Sequence, residues 1–295
     1  MKLRSEQLEG LVTADDPVER VWETLWDVWS PPARGLGDHF ERETESMEYE
    51  YSLWEIYREF YQDVLPERCV TEPSIDVPDD GAFLVMDSMS VREAPLFVRA
   101  LEQQRYRTSV DYSFATVPSE TTPFRERVSY DDLKREHKTV DVTSQADPSI
   151  DGDEDIVWSR FPDSLLETIQ EGKTELSTIE EAYQKTEDVL LSLVEQVDGN
   201  RLVIGSDHGY VRLEAGYSFP PTEQDRLKDV FSQRFVSVGE TTAEDLVDAG
   251  VVAEEDGYYL PVGRFTWPAR GKYSTYQHGG TSLVECLTPR IEVTL

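Results

Sequence analysis

The sequence predicts an α/β fold in which a mainly parallel sheet is flanked by helices and preceded by an N-terminal helical segment. Short apolar runs of the kind that buried parallel strands show, at 82–86, 156–158 and 202–204, alternate with stretches of helical periodicity. Acidic or histidine residues follow these runs, where open α/β sheets place their ligands. Apolar residues at helical spacing fill the first 70 residues or so. Together these patterns favour a parallel sheet covered by helices on both faces.

The charge balance of the chain is strongly acidic. Its 295 residues include 28 basic and 60 acidic side chains, for a net charge of −32. The acidic residues are spread along the whole length, which is typical of an acidic surface rather than an acidic tail. Self-repulsion opposes a compact state at low salt, but at about 1 M salt the Debye length falls to ~3 Å. The charge therefore favours a protein from a high-salt cytoplasm, such as that of a halophilic archaeon. The alternative is an acidic mimic of DNA, against which the scattered charge argues.

Cysteine usage and hydropathy predict the compartment. Cys69 and Cys286 are too few for a disulfide framework, and we expect both to be reduced. The first residues run directly into charged side chains without the apolar core of a signal peptide. No apolar run approaches the ~18 to 20 residues that a membrane-spanning helix needs. We therefore expect a cytoplasmic protein that does not contact a membrane.

A helical N-terminal segment is expected over residues 1–75. Apolar residues recur at helical spacing over 18–29 and again over 53–61, and Pro31 and Pro32 separate the two runs. The runs contain several aromatic residues. We expect this aromatic stripe to be a helix face packed against other structure rather than a ligand site.

The remaining chain, residues 80–295, is expected to form the sheet-containing domain. Strands are predicted at 82–86, 109–117, 156–158, 202–204 and 287–295. Helices are predicted after Asp87 as far as Leu101 and over 175–197. Residues 129–153 are polar, and we interpret them as a surface excursion. Residues 222–268 are expected to hold a small inserted helix and hairpin, because Thr242 to Asp245 has the pattern of a capping box.

Candidate site residues stand just after the predicted strands. Asp87 follows the first of them, Asp163 follows 156–158, and Asp207 and His208 follow 202–204; His278 lies near the end of the chain. Each alone has an ordinary explanation, since an aspartate after a strand is often a helix cap and a single histidine is usually structural. However, His208 and His278 both lie in glycine-containing turns, where the backbone can approach a ligand closely.

The order of these segments resembles the alkaline-phosphatase superfamily, and most specifically the PglZ domain. Asp87 resembles the first aspartate of the superfamily pattern, and Pro118-Ser119-Glu120-Thr121 is similar to the turns that carry its nucleophile, here Thr121. Asp207-His208-Gly209 resembles the Asp-His pair, and His278-Gly279-Gly280 resembles the distal histidine segment. The resemblance covers about residues 80–295.

The resemblance implies an alkaline-phosphatase-like hydrolase of phosphate esters that depends on two divalent metal ions, most naturally zinc, with manganese as the alternative. Two such ions about 3.5 to 4 Å apart can clamp the attacking and leaving oxygens of a phosphoryl transfer. One ion would be held by Asp87, Asp207 and His208 and would contact the nucleophile Thr121. The other would be held by Asp163, Glu167 and His278. The superfamily pattern has a histidine where this chain has Glu167, but a carboxylate can bind either metal.

The form of the nucleophile turn implies the substrate class. The Pro-Ser-x-Thr turn looks like that of the diesterase branches, so a phosphodiester in a nucleotide or short nucleic acid is expected. A monoester would favour an arginine clamp, and the basic residues near the site are scattered: Arg92, Arg125, Arg127 and Lys272. PglZ proteins are associated with phage defence, which would supply protein partners. The alternative is a degenerate, non-catalytic PglZ-like scaffold of a defence complex, which the substitution at Glu167 favours.

Overall fold

The computed structural model describes residues 10–11, 13–32, 35–171, 179–212, 217–218, 221–266 and 276–295. These residues fall into two compact units. The first unit contains the described residues of Met1–Thr71, Val117–Ser119 and Val211–Cys286. The second unit contains those of Glu72–Thr116, Glu120–Tyr210 and Leu287–Leu295.

Helices and strands alternate along most of the chain. The described helices are α1 (Pro17–Trp29), α2 (Leu36–Ile56), a π-helix (Phe60–Val64), α3 (Leu65–Thr71), α4 (Ala94–Gln103), α5 (Thr121–Arg127), α6 (Tyr130–Glu136), α7 (Asp163–Glu171), α8 (Ile179–Val194), α9 (Pro221–Val230), α10 (Glu244–Asp248) and α11 (Leu283–Cys286). The described strands are β1 (Gly81–Met86), β2 (Arg107–Phe114), β3 (Thr139–Val142), β4 (Ile156–Ser159), β5 (Arg201–Gly205), β6 (Val211–Arg212), β7 (Tyr217–Ser218), β8 (Val236–Ser237), β9 (Val252–Glu255), β10 (Tyr258–Pro261), β11 (Phe265–Thr266), β12 (Tyr276–Gln277) and β13 (Leu287–Thr294).

A six-stranded sheet organises the second unit. Its described strands lie in the order β2-β13-β5-β1-β4-β3. The strand pairs β1–β4, β1–β5 and β3–β4 are parallel, whereas β13 runs antiparallel to both β2 and β5. Five strands therefore point in one direction and β13 in the other. The predicted α/β class, with a mainly parallel sheet flanked by helices, is confirmed.

The central strands form because their residues are apolar on both faces, as a covered parallel sheet requires. In β1 every residue after Gly81 is buried, and all four residues of β4 are buried. Gly205 closes β5 directly against the ring of Phe83, where a Cβ atom would lie 2.8 Å from the nearest ring carbon. A larger residue at position 205 would therefore force the Phe83 ring to move within the core.

One core cluster joins the sheet to helices α5 and α6. Phe83 and Val85 of β1 share a face of the sheet because side chains alternate along a strand. The buried residues of this cluster are Ile75, Phe83, Val85, Phe124, Tyr130, Ile156, Trp158 and Val203. Since Phe124 belongs to α5, the cluster anchors the helix that begins at Thr121.

The segment 129–153 is more ordered than the sequence predicted. It contains α6 and then β3, which pairs with β4 as an edge strand of the sheet. The surface-excursion interpretation was wrong because Val140 and Val142 alternate with polar residues, and this two-residue period is hidden by the charged residues around it. The helix predicted over 175–197 is observed as α8; residues 175–178 lie outside the described residues.

The N-terminal part of the first unit is helical, as predicted. In α1 the buried residues recur at helical spacing, and the Asp16 side chain accepts a hydrogen bond from the Val18 amide at 2.8 Å, capping the helix. The second apolar run does not form one helix. Instead α2 ends at Ile56, Tyr57 leaves the helical conformation, and the π-helix and α3 follow.

The predicted small helix and hairpin are present in the first unit as α10 and the antiparallel pair β9–β10, to which β8 adds a third strand. The residues Asp256 and Gly257 between β9 and β10 both have positive φ, as a tight hairpin turn requires. The capping box predicted over 242–245 was wrong. The cap of α10 is Ala243, whose side chain has no acceptor, and the Asp245 carboxylate accepts two hydrogen bonds from Arg226.

A buried arginine of the first unit, Arg264, forms ion pairs with two glutamates. Arg264 donates to Glu43 and to Glu50, each at 2.7 Å, and all three side chains are almost completely buried. The second oxygen of Glu50 accepts the amide of Leu283 at 2.8 Å. Burial raises the pKa of Glu50 above its ordinary value, and the charge of Arg264 acts in the opposite direction.

Among the described helices, none combines the length and the apolar composition that crossing a membrane requires.

Candidate functional site

Three segments of the second unit bring the candidate ligands to one edge of the sheet. Asp87 follows β1, and Asp207 and His208 follow β5. Since β1 and β5 are adjacent and parallel, the segments that follow them emerge side by side. Thr121 is the first residue of α5, on the connection that leaves β2.

The side chains of these segments converge. One carboxylate oxygen of Asp87, one of Asp207 and a ring nitrogen of His208 all lie within 4.8 Å of one another. The relative exposure of these three residues is 6%, 0% and 1%, whereas Thr121 is only half-buried. The arrangement therefore places a partly accessible hydroxyl beside a buried group of potential metal ligands.

The Thr121 hydroxyl contacts all three ligands. Its Oγ1 donates to Asp207 Oδ2 at 2.7 Å and lies 3.4 Å from Asp87 Oδ1 and 3.3 Å from His208 Nε2. Thr121 does not cap its own helix, because the cap position of α5 is Glu120, which makes no side-chain capping hydrogen bond. Helix capping is the ordinary role of a threonine at this point in a sequence, and the geometry does not support it here.

Backbone hydrogen bonds orient Asp207. Its Oδ1 accepts the amides of Ser88 at 3.1 Å and of His208 at 3.0 Å, which leaves Oδ2 directed at Thr121. Ser88 itself has a φ of 68°, in the left-handed region. That conformation costs a residue with a side chain on the order of 1 kcal/mol or more. Such strain is typical of a loop that must hold a functional group in a fixed direction.

His208 is oriented by its own turn. Its Nδ1 lies 2.9 Å from the carbonyl oxygen of Gly209, which can only accept, so Nδ1 carries the proton. Nε2, the other ring nitrogen, lies 3.7 Å from Asp87 Oδ1 and from Asp207 Oδ2. Ser206 supports the same turn, since its hydroxyl lies 2.9 Å from the Met86 carbonyl and 2.7 Å from the His208 carbonyl.

This donor set fits a divalent cation. Two carboxylate oxygens and one imidazole nitrogen, with a hydroxyl beside them, are ligands that suit zinc and manganese. Two buried carboxylates this close together repel each other in a medium of low polarity, and a bound cation would remove that repulsion. The hydrogen bond from His208 Nδ1 to a carbonyl is the outer contact that metal-binding histidines usually make.

Asp163 and Glu167 are not part of the cluster of potential metal ligands found among the described residues. Asp163 begins α7 and its amide donates to the Asp87 carbonyl at 3.1 Å, which ties the start of the helix to the Asp87 loop. Its side chain is half-buried. Glu167, one turn further along α7, is exposed. Their role as ligands stays a prediction.

His278 lies in the first unit, directly after β12. The loop that follows it is held on two sides. Ser119 accepts the Gly279 amide at 2.8 Å and donates to the Gly280 carbonyl at 3.0 Å. Glu285 accepts the Gly280 amide at 2.9 Å. Neither Ser119 nor Glu285 was predicted to have a role from the sequence.

A buried ion pair completes the support of this loop. Both carboxylate oxygens of Glu285 accept hydrogen bonds from Arg234, each at 2.8 Å. Arg234 also donates to the Gly263 carbonyl at 2.8 Å. The guanidinium packs so closely on the loop that a Cβ atom at Gly280 would lie 2.5 Å from Arg234 Nη2. Gly280 is therefore required by close packing rather than by its backbone angles.

Part of the chain matches a known family. Residues 156–293 match the family described as the BREX system PglZ alkaline phosphatase-like domain. The matched segment begins at β4, ends within β13 and is somewhat shorter than half of the 295-residue chain. It includes Asp207, His208 and His278, whereas Asp87 and Thr121 lie before it. No curated protein matches the chain.

Two solved structures resemble the chain over part of their length. Both are crystal structures of phosphonoacetate hydrolase from Sinorhizobium meliloti 1021, one in complex with phosphonoformate and one with phosphonoacetate. Their sequence identities are 15% and 14%, and each has a TM-score of 0.25. Each match covers 48% of this chain and 46% of the hydrolase, so the chain spans about half the length of these structures. With so partial a superposition, the chemistry of those complexes is not transferred to this chain.

Proposed function

We propose that the chain is a metal-dependent hydrolase of phosphoric esters, with Thr121 as its nucleophile. The observation that carries this proposal is the position of the Thr121 hydroxyl, 2.7 Å from Asp207 Oδ2 and within 3.4 Å of Asp87 and His208. A threonine hydroxyl is a weak nucleophile by itself and needs an adjacent base or metal ion. The match to an alkaline phosphatase-like domain supports the same reaction class.

Asp87, Asp207 and His208 would hold a divalent cation, with zinc or manganese as the metals that suit the donor set. When bound, such a cation supplies positive charge at the reacting oxygens and lowers the pKa of a neighbouring hydroxyl. The burial of all three ligands keeps water away from most of the site and strengthens its electrostatic interactions.

The protein groups suggest the course of the reaction. Asp207 Oδ2 accepts the hydrogen bond of the Thr121 hydroxyl at 2.7 Å and so orients its oxygen. The hydroxyl loses its proton to solvent as the oxygen attacks phosphorus. The bond from phosphorus to the leaving oxygen breaks as the bond to Thr121 forms, and the leaving oxygen takes up a proton from solvent and departs as an alcohol. Water then hydrolyses the resulting phosphothreonine ester, which returns the hydroxyl to Thr121 and releases the phosphoryl product.

The substrate we propose is a phosphodiester in a nucleotide or short nucleic acid. A monoester dianion would be better matched by arginine side chains aimed at its extra charge. Arg92 instead donates to the Tyr210 carbonyl at 2.9 Å, and Arg125 stacks 4.0 Å above the ring of Trp158. Lys272 lies outside the described residues. The net charge of −32 also disfavours long polyanions.

The nucleophile is tested with matched threonine variants. Turnover of a bis-aryl phosphate would be measured in about 2 M KCl, where surface repulsion is screened. Thr121→Val should abolish turnover, because it keeps the shape of the side chain but removes the hydroxyl, and Thr121→Ser should retain part of it. Thr122→Val, at the exposed neighbouring position, is the control and should behave like the wild type. Unchanged turnover in Thr121→Val would refute the covalent mechanism.

The substrate class is tested separately. The same bis-aryl phosphate is compared with an aryl phosphate monoester under identical conditions. We expect faster turnover of the diester. Faster turnover of the monoester would overturn the diesterase assignment and leave the hydrolase assignment intact.

A second function is a non-catalytic scaffold within a defence complex. The observation that favours it is the exposed carboxylate of Glu167, at the position where the superfamily pattern has a metal-binding histidine. Metal analysis of the protein purified without chelators separates the two functions. A hydrolase should retain close to stoichiometric zinc or manganese, whereas a scaffold should contain little.

A further inference from the structure

A buried polar cluster of the second unit contacts the loops that follow the candidate ligands, and the proposed reaction does not use it. We call it the Glu93 cluster, and its members are Ser90, Arg92, Glu93, Tyr183 and Tyr210. Their relative exposure ranges from 0% for Ser90 and Glu93 to 7% for Tyr183. Burying a carboxylate this completely costs free energy unless the carboxylate is well hydrogen-bonded. We therefore ask what the hydrogen bonds of this cluster hold in place.

Glu93 connects the two loops that carry the candidate ligands. Its Oε2 accepts the amide of Ser90 at 3.0 Å and the Ser90 hydroxyl at 2.6 Å, in the loop that follows Asp87. Its Oε1 accepts the Tyr210 hydroxyl at 2.5 Å, in the segment that follows Asp207 and His208. One carboxylate therefore ties both loops together.

Arg92 and Tyr183 reinforce the same connection. Arg92 donates from the Asp87 loop to the Tyr210 carbonyl at 2.9 Å, and its guanidinium lies 4.6 Å from the centre of the Tyr210 ring. Since the Tyr210 hydroxyl is donated to Glu93, the Tyr183 hydroxyl, 2.7 Å away, donates to Tyr210 from helix α8. Burial raises the pKa of Glu93, and the hydrogen bonds from Ser90 and Tyr210 act in the opposite direction.

An ordinary capping role accounts for only half of these contacts. Ser90-Val91-Arg92-Glu93 has the Ser-x-x-Glu pattern, and a capping glutamate reaches back to the serine amide as Glu93 does. Capping needs neither complete burial nor a hydrogen bond to a second loop. The bond to Tyr210 crosses 117 positions of sequence, and it joins the segments from which Asp87 and His208 project.

We infer that Glu93 and Tyr210 are positioning residues, which set the spacing between Asp87 and the Asp207–His208 pair and thereby the cation affinity of the site. The inference rests on the proposed function, because it assumes that these ligands bind a cation. Outer contacts of metal ligands typically contribute about 10- to 100-fold to metal affinity. The Glu93 cluster acts on both ligand loops at once, so an effect in this range is expected.

The test measures Mn²⁺ binding to the full chain, stripped of metal, by titration calorimetry. Tyr210→Phe removes one hydroxyl and keeps the ring and the carbonyl that Arg92 contacts. Glu93→Gln keeps the shape of the side chain. Both should raise the dissociation constant for Mn²⁺ about 10- to 100-fold. The double variant should be no weaker than the weaker single variant, because both substitutions break the same connection.

One tyrosine variant serves as the control for loss of a buried hydroxyl. Tyr130→Phe lies in the core cluster of the same unit, outside the Glu93 cluster. It should bind Mn²⁺ like the wild type. The melting temperature of the metal-free protein should fall further in Tyr210→Phe than in Tyr130→Phe, because the Tyr210 hydroxyl makes two buried hydrogen bonds and the Tyr130 hydroxyl makes none among the described residues. The affinities are therefore measured at a temperature where all variants are folded. If Glu93→Gln does not fold, Tyr210→Phe carries the test alone.

The results separate this inference from the proposed function. Unchanged Mn²⁺ affinity in Tyr210→Phe would overturn the inference, and so would an equal loss of affinity in Tyr130→Phe, which would indicate general loosening of the core. If Asp207→Asn abolishes binding while the cluster variants bind like the wild type, only the inference fails. If the wild type does not bind Mn²⁺, the proposed function fails first.

Discussion

At the scale of single residues, the candidate site depends on the hydrogen bonds that aim Asp207. Its Oδ1 accepts two backbone amides, and its Oδ2 is thereby fixed beside Thr121. A carboxylate held in this way loses little conformational entropy when it binds a ligand. The left-handed Ser88 is part of the same arrangement.

Asp207→Asn should weaken Mn²⁺ binding at least about 100-fold, because a neutral amide replaces a buried charged ligand. Titration calorimetry on the metal-free protein measures the loss. Asp147→Asn, at an exposed loop position, is the control and should leave binding unchanged. Equal affinity in Asp207→Asn and the wild type would show that the pair 207–208 is wrongly assigned.

Gly280→Ala should destabilise the protein by about 1 to 3 kcal/mol, the usual cost of overpacking. Its Cβ would lie 2.5 Å from Arg234 Nη2, and Arg234 cannot move aside without breaking its two hydrogen bonds to Glu285. Gly239→Ala is the matched control, since its nearest neighbour would be the Ser237 hydroxyl at 3.8 Å. Urea denaturation measures both, and equal stabilities would contradict the packing account.

The sequence could predict which single residues stand after strands, but not what supports them. Asp87, Asp207 and His208 are recognisable because strand ends are readable from short apolar runs. Glu93 and Glu285 are not, because an acidic residue near a helix start usually lies on the surface. Their burial depends on Tyr210 and Arg234, which are distant in sequence and become partners only in the fold.

At the scale of elements, helix α2 carries an unexpected polar face. Glu43 and Glu50 lie two turns apart on this helix and are both buried against Arg264. The predicted apolar run over 53–61 overlaps only the last turn of α2, so the apolar periodicity could not predict this face. The edge strand β3 was missed for the related reason that a two-residue period over four residues is a weak signal.

Arg264→Met should destabilise the protein by about 3 to 5 kcal/mol at neutral pH, because it leaves two buried carboxylates without their cation. The loss should be smaller near pH 4. The folded-state pKa of Glu50 is already raised by burial, and it should rise further without Arg264. A raised carboxyl pKa favours the folded state at low pH, and this contribution is lost as the pH rises through the folded-state pKa.

Denaturant unfolding of Arg264→Met at both pH values measures this dependence. Arg226→Met is the control, since Arg226 makes an exposed ion pair with Asp245 in the same unit. An exposed pair contributes about 1 kcal/mol or less, with little pH dependence over this range. A loss in Arg264→Met that does not shrink at the lower pH would contradict the account.

At the scale of the whole molecule, the net charge of −32 dominates the response to salt. The fold class was predictable because the apolar runs and the helical periodicity remain recognisable in the sequence despite its many acidic residues. The division into two units was not, since the first unit gathers residues from three separate parts of the chain. Sequence periodicity is local and does not report which distant segments pack together.

The melting temperature should rise steeply as KCl is increased to about 1 M, because screening removes the repulsion among the acidic side chains. Sucrose at matched osmolality is the control for general solute exclusion and should have the smaller effect. A melting temperature that does not depend on KCl would contradict the high-salt origin that we propose.

The proposed hydrolase activity requires a divalent cation held by Asp87, Asp207 and His208 beside Thr121. Anomalous diffraction from crystals soaked in Mn²⁺ locates such a cation. We expect an anomalous peak about 2.0 to 2.2 Å from a carboxylate oxygen of Asp87, from Asp207 Oδ2 and from His208 Nε2, and loss of that peak in Asp207→Asn. A peak at other residues with none at these three, or a peak that persists in Asp207→Asn, would contradict this placement of the cation.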